Sequence, residues 1–218
     1  SPAWNPHLIT GVDKIHKRGV TGEGVTIAII DTGVDYTHPA LGGGIGPNYP
    51  IIGGYDFSES ITNPSDDPMD CAGHGTFVTS LIVGNSDHLL GVAPDAKIMM
   101  YKVFPCAEST SDDIIIAALI RAHKDKPDLI SLSLGATRGY NTIPLSIVAN
   151  KVAQDIPVIF AAGNGGENGP FYASSGASGK DVIAVGSTEA TQLVAFKALA
   201  NSTSGETTEF SYVGNKGA

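Results

Sequence analysis

An acid, a base and an amide occur in this chain in settings that acyl transfer would require. They are Asp31 within Ile29-Ile30-Asp31-Thr32-Gly33, His74 within Gly73-His74-Gly75-Thr76, and Asn164 within Ala161-Ala162-Gly163-Asn164. A hydroxyl is a weak nucleophile at neutral pH, so such a reaction needs an imidazole to take its proton and a carboxylate to fix that imidazole in one tautomer. Asp31 and His74 suit these two roles. Singly, each has a plainer reading: an Asp after a strand is ordinarily a turn or cap residue, and a lone His is ordinarily structural. Asn164, among glycines, fits a left-handed turn equally well. Context separates the readings. Asp-Thr-Gly follows an apolar run directly, and His74 opens a helical pattern with Gly on both sides, which lets other backbone come close to both side chains.

These groups need a scaffold, and the pattern of the chain describes one. Short runs rich in Val and Ile at 25–30, 97–103, 128–134, 157–161 and 182–185 read as strands buried on both faces. Helical patterns lie between several of them, at 75–83, 112–124 and 143–153. The middle helix is the clearest, with the spacing of a capping box from Thr110 to Asp113 and Pro127 as its stop. Strand alternating with helix implies crossovers, hence an α/β fold of three layers in which a mostly parallel sheet is flanked by helices on both faces. Reactive groups in such sheets gather at the carboxyl ends of the strands. Asp31 and Asn164 fall just past such ends.

Composition narrows the function classes. With 218 residues, 42% of them hydrophobic, the chain can bury about 70% of its unfolded surface in one core. A formal net charge of −9 disfavours nucleic acid, whose binding rests on Lys and Arg displacing counterions. No stretch reaches the roughly 18 apolar residues of a membrane span. The start, Ser1-Pro2-Ala3-Trp4-Asn5-Pro6, lacks the basic and apolar regions of a signal peptide and reads as a mature or trimmed terminus. Cys71 and Cys106 fit a bridge, free thiols or half of a metal site. A zinc site would need more ligands at short spacing, and the bridge is the preferred reading. From about Glu189 the texture turns to Thr, Ser, Asn and Glu, which marks a new segment, an insertion or a fraying end.

The motifs together resemble the subtilisin-like serine peptidase family. Three local signatures match in order: 29–33 for the acid, 74–80 for the base and 161–165 for the oxyanion asparagine, within a similarity spanning about residues 20–188. The resemblance implies that Asn164 donates its amide to the oxyanion of the tetrahedral intermediate, a contact worth about two to three decades in rate in subtilisin itself. It implies polypeptide substrates lying extended between two strand-like segments. Here those are Ser133-Leu134-Gly135 on one side and Glu108-Ser109-Thr110 on the other. Gly135 with Ala162 and Gly163 would border the pocket for the residue before the scissile bond. No cofactor is implied for the chemistry, although structural calcium is frequent in the family.

This chain also departs from the family pattern. Phe77 replaces a second His three residues after the base, so an altered rim or packing is expected. More consequentially, no Gly-Thr-Ser-type nucleophile motif is present: Ser174-Ser175-Gly176 and 202–205 have the look of loops. The two cysteines resemble those of a secreted, chiefly fungal branch, in which a cysteine before the catalytic His pairs with one near the substrate-flanking segment. A protease-associated domain can be inserted before the nucleophile in that branch. The resemblance thus makes 1–188 the N-terminal part of the peptidase domain and 189–218 the start of an insertion or of the remaining catalytic domain.

Several residues carry weaker signals. Asp66, Asp67 and Asp70 could contribute to a calcium site, but no ligand series at alternate positions is visible and a solvated acidic turn is the better reading. Asp35 and His38 read as hydrogen-bonding turn residues. His7, His16, His88 and His123 have no neighbours suggesting chemistry. Asn201-Ser202-Thr203 is a glycosylation sequon and fits secretion. The expectation is a secreted serine endopeptidase whose serine lies outside this sequence, supplied by the rest of the same protein, with a propeptide as a further partner. The competing reading is a pseudoenzyme or binding protein that keeps the peptide groove. A nucleotide enzyme is disfavoured, since Gly22-Glu23-Gly24 precedes its strand where a dinucleotide fingerprint must follow one.

Overall fold

A computed structural model of the chain describes residues 6–87, 89–106, 109–188 and 196–212. Two compact units are distinguished, residues 15–186 and a smaller unit of 1–14 with 187–218. Two short helices, α1 (Pro6–Thr10) and α2 (Val12–His16), come first. The larger unit then runs β1 (Thr26–Asp31), β2 (Ile51–Asp56), α3 (His74–Val83), β3 (Lys97–Lys102), α4 (Asp112–Asp125), β4 (Leu129–Leu132), α5 (Pro144–Val152), β5 (Val158–Ala161) and β6 (Ile183–Val185). Its six strands form one sheet in the order β2-β3-β1-β4-β5-β6, and every pairing is parallel. This is the three-layer α/β fold that the alternation of strands and helices implies.

Side-chain alternation along β1 builds both layers. Ile27 and Ile29 point to one face and pack with Val83 of α3, Leu41, Ile51, Ile98 and Met100. Ala28 and Ile30 point to the other, into a larger cluster with Ala118 and Leu119 of α4, Leu145 and Ala149 of α5, and Phe160. A strand covered on both faces has no need for a polar alternate, which is why β1 reads as a continuous apolar run. α4 begins one residue later than the capping-box spacing suggests. Its N-cap is Ser111, whose hydroxyl turns to the Asp113 carboxylate instead of capping the backbone, and the Thr110 hydroxyl is buried without a partner among the described residues.

The pattern of apolar runs misses three strands. β2 contains Gly53-Gly54, which dilutes its apolar signal; Gly54 is required because a Cβ there would lie 1.9 Å from the Met100 carbonyl oxygen. β7 (Phe196–Asn201) and β8 (Thr207–Tyr212) form an antiparallel hairpin in the smaller unit, where a fraying end was the alternative expectation. The hairpin is rich in exposed polar residues, and Lys197 pairs with Glu209 at 2.7 Å.

Candidate active site

Three central strands present their carboxyl ends side by side. Asp31 is the last residue of β1, residues 133–135 follow β4, and residues 162–164 follow β5. His74 opens α3. Its Nδ1 lies 2.7 Å from Asp31 Oδ1, although 43 residues separate the two in sequence. A carboxylate oxygen can only accept, so Nδ1 carries the proton and Nε2 is left as the basic nitrogen. The Asp31 side chain is fully buried, whereas that of His74 is 53% exposed. The carboxylate is therefore shielded while the imidazole can reach an incoming group.

Two glycines make this approach feasible. A Cβ on Gly75 would lie 2.1 Å from the Gly33 carbonyl oxygen and 3.1 Å from Asp31 Oδ1. Gly33 itself has a φ of +112°, and a Cβ there would lie 2.7 Å from the Pro68 carbonyl oxygen. The acid turn and the base helix thus touch backbone to backbone, as the glycines around both motifs anticipate.

Burial raises the proton affinity of Asp31 above that of an ordinary carboxyl group. Hydrogen bonds from His74 and from the Thr32 N–H act against this, and the negative charge of Asp70 adds to it. The Thr32 N–H donates to Oδ1 at 2.7 Å, while Oδ2 is buried with no partner among the described residues.

Asp70, which the sequence suggests as part of a solvated acidic turn, faces inward. Its Oδ1 accepts hydrogen bonds from the Thr32 hydroxyl and from the Ala72 and Gly73 N–H groups. Its Oδ2 accepts from the N–H and hydroxyl of Thr76. These contacts outweigh burial and hold its proton affinity below that of an ordinary carboxyl group. With both oxygens used in this way, Asp70 does not present itself to a cation. No group of three or more acidic, His or Cys side chains suited to a metal occurs among the described residues. Asp67 instead accepts from the Tyr36 hydroxyl at 2.9 Å and from the Met69 N–H, and Asp66 is exposed. Asp35 and His38 take the expected turn roles, accepting from Thr37 and from the Ala40 N–H.

Cys71 and Cys106 form a disulfide across 35 residues, with Cα atoms 5.2 Å apart. Nearby, the nearly buried Lys102 ammonium pairs with Asp56 at 3.2 Å and lies 3.6 Å from Cys71 Sγ. Phe77, at the position of the second His of the family, is 60% exposed on α3.

The residues that the resemblance assigns to the substrate side at 133–135 and 162–163 form a second cluster. The Ser174 N–H donates to the Ala162 carbonyl at 2.8 Å, and its hydroxyl donates to the Leu134 carbonyl at 3.1 Å. The Ser175 N–H donates to the Ala136 carbonyl. Ser174 therefore ties the end of β4 to the end of β5, and a Cβ on Gly135 would lie 1.9 Å from its hydroxyl. Ser133 and Leu134 are half-buried, Gly135 and Gly163 are exposed, and the Asn164 side chain is exposed with no hydrogen bond to a described residue. On the opposite flank, Ser109 is exposed and Thr110 half-buried between β3 and α4. Glu108 and His88 lie outside the described residues.

Comparison with known proteins agrees with this geometry. The profile of the subtilase family matches residues 22–217, and the chain belongs to that family. It is 36% identical to subtilisin E of Bacillus subtilis over 157 residues, which cover 71% of this chain and 38% of that protein. It is 33% identical to the minor extracellular protease Vpr of the same organism over 177 residues, 78% of this chain and 21% of Vpr. Against the major intracellular serine protease of B. subtilis, identity is 34% over 177 residues, 78% of this chain and 53% of that protein. The chain thus spans about a fifth to a half of the relatives it matches. A serine peptidase scaffold follows from family membership, and the family's chemistry needs no cofactor.

Proposed function

We propose that this chain is the N-terminal part of a secreted serine endopeptidase whose nucleophile is contributed by sequence outside these residues. The observation that carries the reading is the 2.7 Å contact between His74 Nδ1 and a fully buried Asp31, with the imidazole otherwise open to solvent. Asp31 holds the tautomer that leaves Nε2 free and stabilises the imidazolium once it forms. His74 takes the serine proton as the hydroxyl attacks the peptide carbonyl, then returns it to the leaving amine. Asn164 donates its amide to the oxyanion, and its exposed, unengaged side chain suits that role. Residues 133–135 pair with the extended substrate on one side and 108–110 on the other, with Ala162 and Gly163 beside the pocket for the residue before the cleaved bond.

Further sequence supplying the serine is supported by the outer edge of the sheet. β6 leaves Ile183 and Val185 half exposed on an edge strand, a surface that ordinarily requires covering. The disulfide supports secretion into an oxidising compartment and placement in the cysteine-bearing, chiefly fungal branch. Glycosylation at Asn201, which is exposed at the end of β7, accords with the same route. A fluorophosphonate probe is expected to label the complete protein, and His74→Ala to abolish labelling. Labelling of His74→Ala at the wild-type rate would remove the proposed base. Peptide binding by a complete protein that is never labelled would establish the pseudoenzyme instead.

A further inference from the structure

Asp31 and His74 meet across two loops that have no direct covalent tie, so something must hold the turn at 31–33 against the loop at 70–76. One side chain contacts both. Asp70 receives the Thr32 hydroxyl from the acid turn on Oδ1, together with the Ala72 and Gly73 N–H groups that lead into the base. On Oδ2 it receives the N–H and hydroxyl of Thr76, two residues beyond the base. The two partner threonines extend the clasp. Thr32 Oγ1 accepts the Gly75 N–H at 2.8 Å, and Thr76 Oγ1 accepts the Asp35 N–H at 2.8 Å. His74 thus sits inside a ring of hydrogen bonds that closes on one carboxylate, while its own side chain touches only Asp31 within that ring.

We propose that Asp70 is a positioning residue for the peptidase reaction: it clasps the acid turn to the base helix and so fixes the imidazole against Asp31. The assignment rests on the proposed peptidase reading only for its kinetic consequence. An acceptor is required at both oxygens, because Ala72 and Gly73 present backbone N–H groups to Oδ1 and Thr76 presents one to Oδ2, and these can only donate. In Asp70→Asn the amide must present an NH2 either to the three donors on Oδ1 or to the two on Oδ2. Asp70→Glu keeps the charge but moves it along the chain by a methylene.

The test uses the complete protein as wild type, Asp70→Asn, Asp70→Glu and Thr76→Val, the last removing one arm of the clasp with little change in shape. The His74 Nδ1–H resonance is followed by NMR in isotope-labelled protein, and kcat and KM are measured on a peptide substrate. For Asp70→Asn the expected result is loss of the Nδ1–H resonance to exchange and a drop in kcat of about a hundredfold, with KM changed less than about threefold. Thr76→Val should fall about tenfold in kcat, and Asp70→Glu should recover part of the Asn variant's loss. An unchanged Nδ1–H resonance with unchanged kcat in folded Asp70→Asn would overturn the assignment, as would a loss confined to KM. Should Asp70→Asn not fold, the resonance in Thr76→Val decides on the same terms. A wild-type protein with no turnover would defeat the peptidase reading alone, and the Nδ1–H resonance would still decide the role of Asp70.

Discussion

The acid–base corner of the site and its carboxamide corner are built at the carboxyl end of the same sheet but to different standards. Around Asp31 and His74, buried hydrogen bonds, contacting glycine backbones and a disulfide fix nearly every group. Around Asn164 the backbone is pinned through Ser174, yet the side chain proposed to donate to the oxyanion has no hydrogen bond to a described residue. The contrast fits the proposed chemistry. A base must be held in one tautomer and orientation before substrate arrives, whereas an oxyanion donor acquires its partner only during the reaction. Substitutions in the first corner should therefore affect folding and chemistry together, and those in the second should affect chemistry alone.

The largest effect on folding should come from opening the disulfide. Closing a loop across 35 residues stabilises by about 4 kcal/mol in the chain-entropy model. Cys106→Ser with Cys71→Ser should lower the unfolding free energy by about that amount in denaturant titrations. Because the bridge also ties the loop before His74 to the segment before Ser109, kcat should fall as well. A double variant with unaltered stability would show that the acid–base corner does not depend on it.

Asn164→Ala gives the opposite signature. In the complete protein it should lose about two to three decades in kcat. Its melting temperature should stay near that of wild type, since an exposed side chain without a partner contributes within about 0.5 kcal/mol. A large stability loss would mean that this corner is as tightly built as the first. Gly75→Ala should then behave like a first-corner change. The added Cβ meets the Gly33 carbonyl oxygen at 2.1 Å, and forcing the two backbones apart should cost about 3 kcal/mol by thermal denaturation along with the Asp31–His74 contact.

The fold and the site were unevenly legible in the sequence. Asp31 and His74 could be placed because each follows a regular-structure signal, the end of an apolar run and the start of a helical pattern. The sheet was legible wherever strands are buried on both faces. It was not at β2, where Gly53 and Gly54 serve close strand approach at the expense of hydropathy, nor at the polar hairpin of β7 and β8. Asp70 was misleading for a physical reason. A run of Asp66, Asp67, Pro68, Met69 and Asp70 has the composition of an exposed turn, and only Thr32, 38 residues upstream, and Thr76 draw the last carboxylate inward. Local pattern reports which residues are polar but not which distant donor each will meet. The spacing of Asp four residues before His, with Thr following both Asp31 and Gly75, was the available signal.

The smallest effect separates two carboxylates within the acid–base corner itself. Burial is the largest influence on both, yet Asp70 collects enough donors to end below the ordinary carboxyl range, and Asp31 does not and ends above it. For Asp70 the folded state binds fewer protons than the unfolded chain. Its contribution to stability is therefore present above the unfolded value of about 3.9 and is lost as pH falls through the lower folded value. For Asp31 the folded state binds more protons, so stability is greater at acid pH and declines as pH rises from about 3.9 through the raised folded value. Melting temperatures of Asp70→Asn and Asp31→Asn relative to wild type, measured from pH 3 to pH 7, should diverge. The Asp70 variant should fall further behind wild type as pH rises, and the Asp31 variant should gain on it. Parallel curves would mean that the donors around Asp70 do not stabilise its charge, and the clasp would then be held by shape instead of by ionisation.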